Sequence, residues 1–478
     1  MTDGIIKGTG NSRYLKGAGW PSTYAEFKAM AEAGTLPFDL NGINAAGWQV
    51  IGSLLNKANL LSDATCSLLN IPTSSVPDNV FEKLALYVKV GDIRTTTRTN
   101  LGSKWLLCNG AKISKATYPT LAALLPSSVA SLSDYNKVAT SNVLYPQSMI
   151  YKDGVYICVT NSQILYTATP WITASWAVVY TASDGYSFHR VRYCNGYYIV
   201  VGSCNVNGYL YPAYAYSNSL TGTWITNTPY GTSYRGDLTD VLYCNSYFHF
   251  YGYTSDGGPS GVGAYDFYKS TITGTINAQL LLANAGGVQV ATNGTCILLS
   301  CGGASPILVC SSGVTYTSIS TAPATNSWTI NKIEFVNNTW LLHFRYTSSP
   351  YNSIVCFSTS ATPPSSIASN YVTIHHDTLG SCSPLLSIYL NGKWVLYYAD
   401  PNYPGIDVTE TQLVSGTTVT SSVLLPVGVT MTYMAGASDA PTPVMFISSS
   451  CYSIDPGKVT LPEISVDKAY NYIKALEG

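Results

Sequence analysis

The chain has 478 residues, a formal net charge of −1, 10% charged residues and 38 Tyr. So little charge with so many aromatics excludes an intrinsically disordered chain, and the absence of any basic stripe argues against a nucleic-acid partner. No apolar run is long enough to span a membrane, and the N-terminal MTDGIIKGTGNSRYLK lacks the apolar core of a secretory signal.

Residues 1–92 read as short amphipathic helices. Thr23-Tyr-Ala-Glu26 forms a capping box and Gly34 a stop, which predicts a helix over 24–33. Apolar residues between Asn56 and Leu69 recur at a roughly helical period, Pro72 and Pro77 interrupt them, and Asp78 caps a third helix with Val80, Phe81, Leu84 and Val88 inward. These helices are too small to form a core alone, so they are expected to self-associate or to dock on a larger body.

Residues 93–134 carry a strand into an Asn-Gly turn, Trp105-Leu-Leu-Cys-Asn-Gly110, followed by Ile113-Ser-Lys-Ala-Thr-Tyr-Pro119 opening a helix. A Ser-rich linker follows.

A repeat then takes over. Seven times between Tyr151 and Ile447 an apolar half-strand meets a tight turn and leaves as an aromatic and β-branched strand. Val191-Arg-Tyr-Cys-Asn195-Gly196-Tyr-Tyr-Ile-Val-Val201 is the clearest copy, and Asn-Gly between apolar runs is a strong hairpin signal. The turns at Asp153, Asn195, Asn245, Asn293, Asn337, Asn391 and, in a degenerate copy, Asp439 lie 42 to 54 residues apart. A second hairpin follows each, often ending in Ser/Thr-Gly-Thr. Four strands per period is the size of a propeller blade. Residues 135–454 are therefore predicted to form a β-propeller of about seven blades, with ring closure borrowing a strand from 135–142. Trp340, Trp394, Tyr197 and Phe248 sit at matched positions and are assigned to blade packing.

Residues 455–478 contain Leu461-Pro-Glu-Ile464 and Tyr470-Asn-Tyr-Ile-Lys474. Two resemblances emerge from these stretches. GIIKGTGNSRYLK, LPFDLNGINAAGWQVIGSLLNKANLLSDATCSLLNIP and VPDNVFEKL, across most of residues 1–86, resemble the N-terminal region of tail-fibre-like proteins of phages and prophages of Gram-positive bacteria. W-L-L-C-N-G with I-S-K-A-T-Y-P-T-L resembles the first half of the tail-collar domain of phage tail fibres, and the L-P-E-I and Y-N-Y-I-K segments resemble its closing half. The fold class expected is thus mainly β: a propeller inserted into a small α+β collar domain (93–134 and 455–478), with a helical attachment region (1–92).

The resemblance implies a receptor-binding protein of the virion, folded in the bacterial cytoplasm before assembly, homotrimeric, and in contact with other tail or baseplate proteins. Its propeller is expected to adhere to a host envelope polysaccharide or other receptor. The low charge favours a neutral or weakly charged glycan read by stacking and hydrogen bonds. Two alternatives stand beside it: a propeller glycoside hydrolase or depolymerase, and a structural tail or baseplate part.

The residues offer no catalytic set, metal site or cofactor motif. Asp184, Asp237, Asp240, Asp256, Asp266, Glu334, Asp377, Asp400, Asp407 and Glu410 mostly sit beside turn formers, where Asp shapes turns. Arg190 and Arg192 share one strand face. His375 and His376 are adjacent and point to opposite sides of a strand. Arg235-Gly236-Asp237 is read as turn chemistry. The scattered Cys read as small buried hydrophobes. The candidate ligand-binding residues are aromatics between strands, where a ring can cover a pyranose face: Trp171, Trp176, Tyr209, Tyr211, Tyr230, Tyr234, Tyr351 and Tyr403.

Overall fold

The computed structural model describes residues 5–8, 29–30, 33, 48–51, 92–96, 101, 104–125, 134–143, 145–229, 233–258, 261–285, 288–301, 307–319, 328–346, 352–360, 370–376, 383–399, 405–425, 434–447, 450–461 and 470–475. They divide into two units.

The first unit comprises 1–111, 115–125 and 461–478. Its centre is a three-stranded antiparallel sheet in which Tyr470–Lys474 lies between Ile93–Thr96 and Trp105–Leu107. Chain from after the repeats is thus flanked by chain from before them. The predicted helix is Pro119–Leu124, with Pro in its first turn and Leu121 fully buried. Pro suits that position because its missing N–H would be unpaired there in any case. A separate hairpin pairs Ile5–Gly8 with Trp48–Ile51. Of the predicted N-terminal helices, helical backbone is described at 29–30, within 24–33; the other two lie outside the described residues.

The second unit, 112–114 and 126–460, is a seven-bladed β-propeller. The innermost strands of blades one to seven are Pro146–Lys152, Tyr186–Cys194, Gly236–Cys244, Gln289–Thr292, Trp328–Val336, Ser383–Leu390 and Met434–Gly436. Each neighbours the next, and the seventh neighbours the first. Ring closure follows the predicted route: the outer strand of blade seven is Asn136–Ala139, paired with Ser450–Ser453.

The apolar residues fall into seven clusters, one at each blade-to-blade interface. Both faces of every blade are thereby buried, which an isolated blade could not achieve. A matched aromatic anchors five blades three residues beyond the turn: Tyr156, Tyr198, Phe248, Trp340 and Trp394, none more than 6% exposed. Tyr198, not Tyr197, holds this position in blade two. Each ring meets an aromatic across the hairpin, with centroids 4.8–5.3 Å apart.

Five predicted turns have positive φ at both central residues, as a type I′ turn requires: Asp153-Gly154, Asn195-Gly196, Asn245-Ser246, Asn337-Asn338 and Asn391-Gly392. Asn293 differs. Only Gly294 is in the positive region, and the Asn293 side chain instead accepts the N–H groups of Thr295 and Cys296 at 3.0 and 2.9 Å. Both geometries reverse the chain; the second uses a side-chain acceptor in place of a second left-handed residue.

Strand alternation separates two faces of the ring. The turns between first and second strands mark one, here called the turn face. The hairpins between second and third strands and the crossings between blades mark the other, the crossing face. The propeller's own ends, Asn136 and Ser453, lie together on the turn-face side of the rim. Lys112–Ser114 and Lys458–Thr460 pair with each other, and Lys112 Nζ donates to Asn136 Oδ1 at 2.7 Å.

Candidate functional site

The inner strands of blades one, two, three, five and six each carry one extra residue against their partner: Gln147, His189, Thr239, Asn331 and Leu385. Such bulges bend a strand and re-aim the side chains after them. In blades two, three and five the residues that follow, Arg190, Arg192, Asp240, Lys332 and Glu334, line a cavity of about 360 Å³ in the turn-face half of the central channel, joined by Asp439 of blade seven.

Most of this charge is paired. Arg192 Nε and Nη2 donate to the two oxygens of Asp240 at 2.9 and 2.8 Å. Arg190 Nε lies 3.5 Å from the same carboxylate. Burial works against ionisation of Asp240, yet Arg192 and then Arg190 outweigh it and hold the carboxyl below its ordinary range. Glu334 accepts from Ser387 Oγ at 2.5 Å and Ser438 Oγ at 2.7 Å, and Lys332 Nζ lies 2.8 Å away. Burial opposes its charge too, but Lys332 and then His343 keep the carboxyl well below the usual carboxylate range. Burial lowers the pKa of His343, whose Nε2 lies 3.3 Å from Glu334 and 3.2 Å from Ser387. The channel carboxylates Asp240 and Glu334 are therefore held ionised by the cations beside them.

Arg190 and Arg192 both line the channel, in keeping with their shared strand face. The carboxylates correct the sequence reading: Asp240, Asp266, Glu334 and Asp407 are buried in strands and are not turn formers. Asp266 accepts from Tyr316 and meets His249 at 2.7 Å; Asp407 accepts from Ser421 at 2.6 Å and meets His376 at 3.2 Å. Both are cross-ties within or between blades, since a buried carboxylate must be hydrogen-bonded. His375 and His376 diverge as expected, to Asn352 and to Asp407 with Ser353. Among the described residues no group of three His, Cys, Asp or Glu could hold a metal ion. The ten described cysteines are buried free thiols, and burial pushes Cys296 up to about 12.

The loop aromatics divide. Trp176 is 1% exposed and packs edge-on against Phe446 between blades one and seven. Tyr211 is 8% exposed within the third strand of blade two. Both are core residues, a correction to the expectation that they present loops to a ligand. Trp171 is half-buried against the same interface as Trp176. Tyr209 is 45% exposed, and the Arg235 guanidinium sits 3.3 Å above its ring. Tyr234 is half-buried beside it in sequence. Tyr230, Tyr351 and Tyr403 lie outside the described residues, in the segments that join blades two and three and the second and third strands of blades five and six. Arg235-Gly236-Asp237 leads into an inner strand and is not a turn tip: Asp237 pairs with His189 at 2.7 Å.

Sequence reasoning did not bring the two Arg together with Asp240, Lys332 and Glu334. The available signal was charged side chains three and five residues before the turns at Asn195 and Asn337 and five before that at Asn245, where a half-strand otherwise reads apolar.

No protein-family model matches the chain, and no curated protein matches it. Solved structures similar to it include YjhT (TM-score 0.38, 9% identity, covering 57% of this chain and 99% of that one). Apo AztD from Citrobacter koseri is another (0.40, 12%, 70% and 90%), as is a chain of the mitotic checkpoint complex (0.42, 10%, 70% and 97%). At these values the likenesses say nothing about function.

Proposed function

We propose that this chain is a tail-fibre-like receptor-binding protein of a phage or prophage of a Gram-positive host, and that its propeller adheres to a neutral or weakly charged envelope polysaccharide. The attachment region would join it to other tail or baseplate proteins, as a homotrimer on the virion. Three heads on one particle would turn weak single-site binding into firm attachment through effective concentration.

One observation carries the reading. Tyr209, at the second-to-third hairpin of blade two, and Tyr234, in the crossing from blade two to blade three, lie on the face opposite the one from which the propeller's ends leave. Tyr209, 45% exposed, supplies a ring for a pyranose. Contact between Tyr209 and Arg235 fixes the ring, so little freedom is lost on binding.

The test is retention of labelled full-length protein on a panel of intact Gram-positive cells, beside Tyr209→Ala. Selective retention by one or more strains, weakened at least fivefold by the substitution, is the expected result. Equal retention of both proteins on every strain would refute crossing-face adhesion. Incubation with polysaccharide from the retaining strain, followed by a reducing-end assay, distinguishes adhesion from depolymerisation.

A further inference from the structure

We infer that the turn-face half of the central channel binds a sugar-sized ligand bearing an oxyanion, a carboxylate or a phosphate, and that Arg190 is the residue that receives it. The cavity of about 360 Å³ lies within the range of small-molecule sites, roughly 300–1,000 Å³. Its charged lining is unequally satisfied. Arg192 occupies both oxygens of Asp240. Glu334 is taken up by Lys332, Ser387 and Ser438. Asp439 accepts the Tyr151 N–H at 3.1 Å. Among the described residues the ion-pair partner of Arg190 is the shared Asp240 carboxylate, 3.5 Å from its Nε, and that buried Nε makes no hydrogen bond.

A guanidinium is a planar fork suited to two parallel hydrogen bonds from one oxyanion. The Arg190 side chain is 32% exposed and faces the cavity. Arg192, by contrast, is locked in place by Asp240, whose carboxylate takes up its charge. This site lies on the opposite side of the ring from Tyr209, so it stands or falls separately from crossing-face adhesion.

Isothermal titration of the full chain with glucuronate, glucose 6-phosphate and glucose at fixed ionic strength tests it. At least one acidic sugar should bind ten or more times tighter than glucose. Glucuronate alone would assign a carboxylate, glucose 6-phosphate alone a phosphate, and both together the shared oxyanion. Arg190→Gln should weaken the acidic sugar at least tenfold, and Arg190→Lys, which keeps the charge beside Asp240 but not the fork, about threefold to tenfold. Tyr209→Ala should change nothing. Equal binding of all three sugars, binding of none, or full-strength acid binding in a folded Arg190→Gln or Arg190→Lys protein would overturn the inference.

Discussion

Ser453, at the end of the third strand of blade seven, pairs in register with Asn136, which opens the strand that enters the ring. Tyr135 stands next to that pair and its hydroxyl meets the Tyr397 hydroxyl of blade six at 2.5 Å in a buried site. Ring closure is thus held by a backbone ladder, and this hydroxyl pair is among the side-chain contacts that support it.

Tyr135→Phe removes the hydroxyl pair but keeps the ring. It should cost about 1 kcal/mol, the net value of a buried neutral hydrogen bond. Tyr135→Ala also opens a cavity between blades six and seven and should cost about 3–5 kcal/mol. Urea unfolding of the two variants measures the difference, and similar losses from both would show that packing at Tyr135 contributes nothing to closure.

Asn195 and Gly196 carry φ of 46° and 84°. Gly196→Ala should destabilise by about 1–2 kcal/mol, because a Cβ disfavours the left-handed region. Space is not the obstacle, since a Cβ there would meet no atom within 4 Å. Asn293→Ala acts differently: it removes a side-chain acceptor from two backbone N–H groups and should cost about 0.5–2 kcal/mol, as loss of a cap does. Thermal unfolding of each variant checks these values.

Lys269 is 2% exposed, donates to the Tyr214 hydroxyl at 2.5 Å, and has its pKa lowered by burial to about 8. Between that value and the ordinary 10.5 the unfolded chain binds the proton more readily than the folded one. Charging Lys269 therefore opposes folding below pH 8, and the penalty fades as pH rises towards 10.5. Lys269→Met should be more stable than the parent at pH 7 by on the order of 2–3 kcal/mol, with the advantage shrinking by pH 9.5. Reading the difference between the two proteins cancels the opposing effect of buried tyrosines such as Tyr156, raised by burial to about 12. An advantage that does not change with pH would contradict this account.

Trp176 and Tyr209 were equivalent candidates by sequence but differ in burial, at 1% and 45% exposed. Trp176→Ala should cost about 3–5 kcal/mol as a core truncation, whereas Tyr209→Ala should change stability by less than about 1 kcal/mol. Calorimetry on both, beside the cell-retention assay, separates lost packing from lost adhesion.

The periodicity alone determined the propeller. Turn signals at Asp153, Asn195, Asn245, Asn337 and Asn391 are local, because two adjacent positive-φ residues are a property of those residue types. The repeat length then implied four strands per blade and a ring, since only a ring covers both faces of each blade. Even the closing strand at 136–139 was legible, because the degenerate seventh repeat lacked one. Exposure was not legible: Trp176 and Tyr211 sit among the same Pro, Ser and Tyr residues as Tyr209, and only the neighbouring blade decides which rings it covers. Nor was the channel. Arg190, Asp240, Lys332 and Glu334 come from three blades, and their approach depends on bulges at His189, Thr239 and Asn331 and on the closure of the ring. Hydrophobic period and turn chemistry act between residues close in the chain and so appear in its order. Charge pairing across a channel acts between residues that only closure brings near, so the tertiary structure alone decided it.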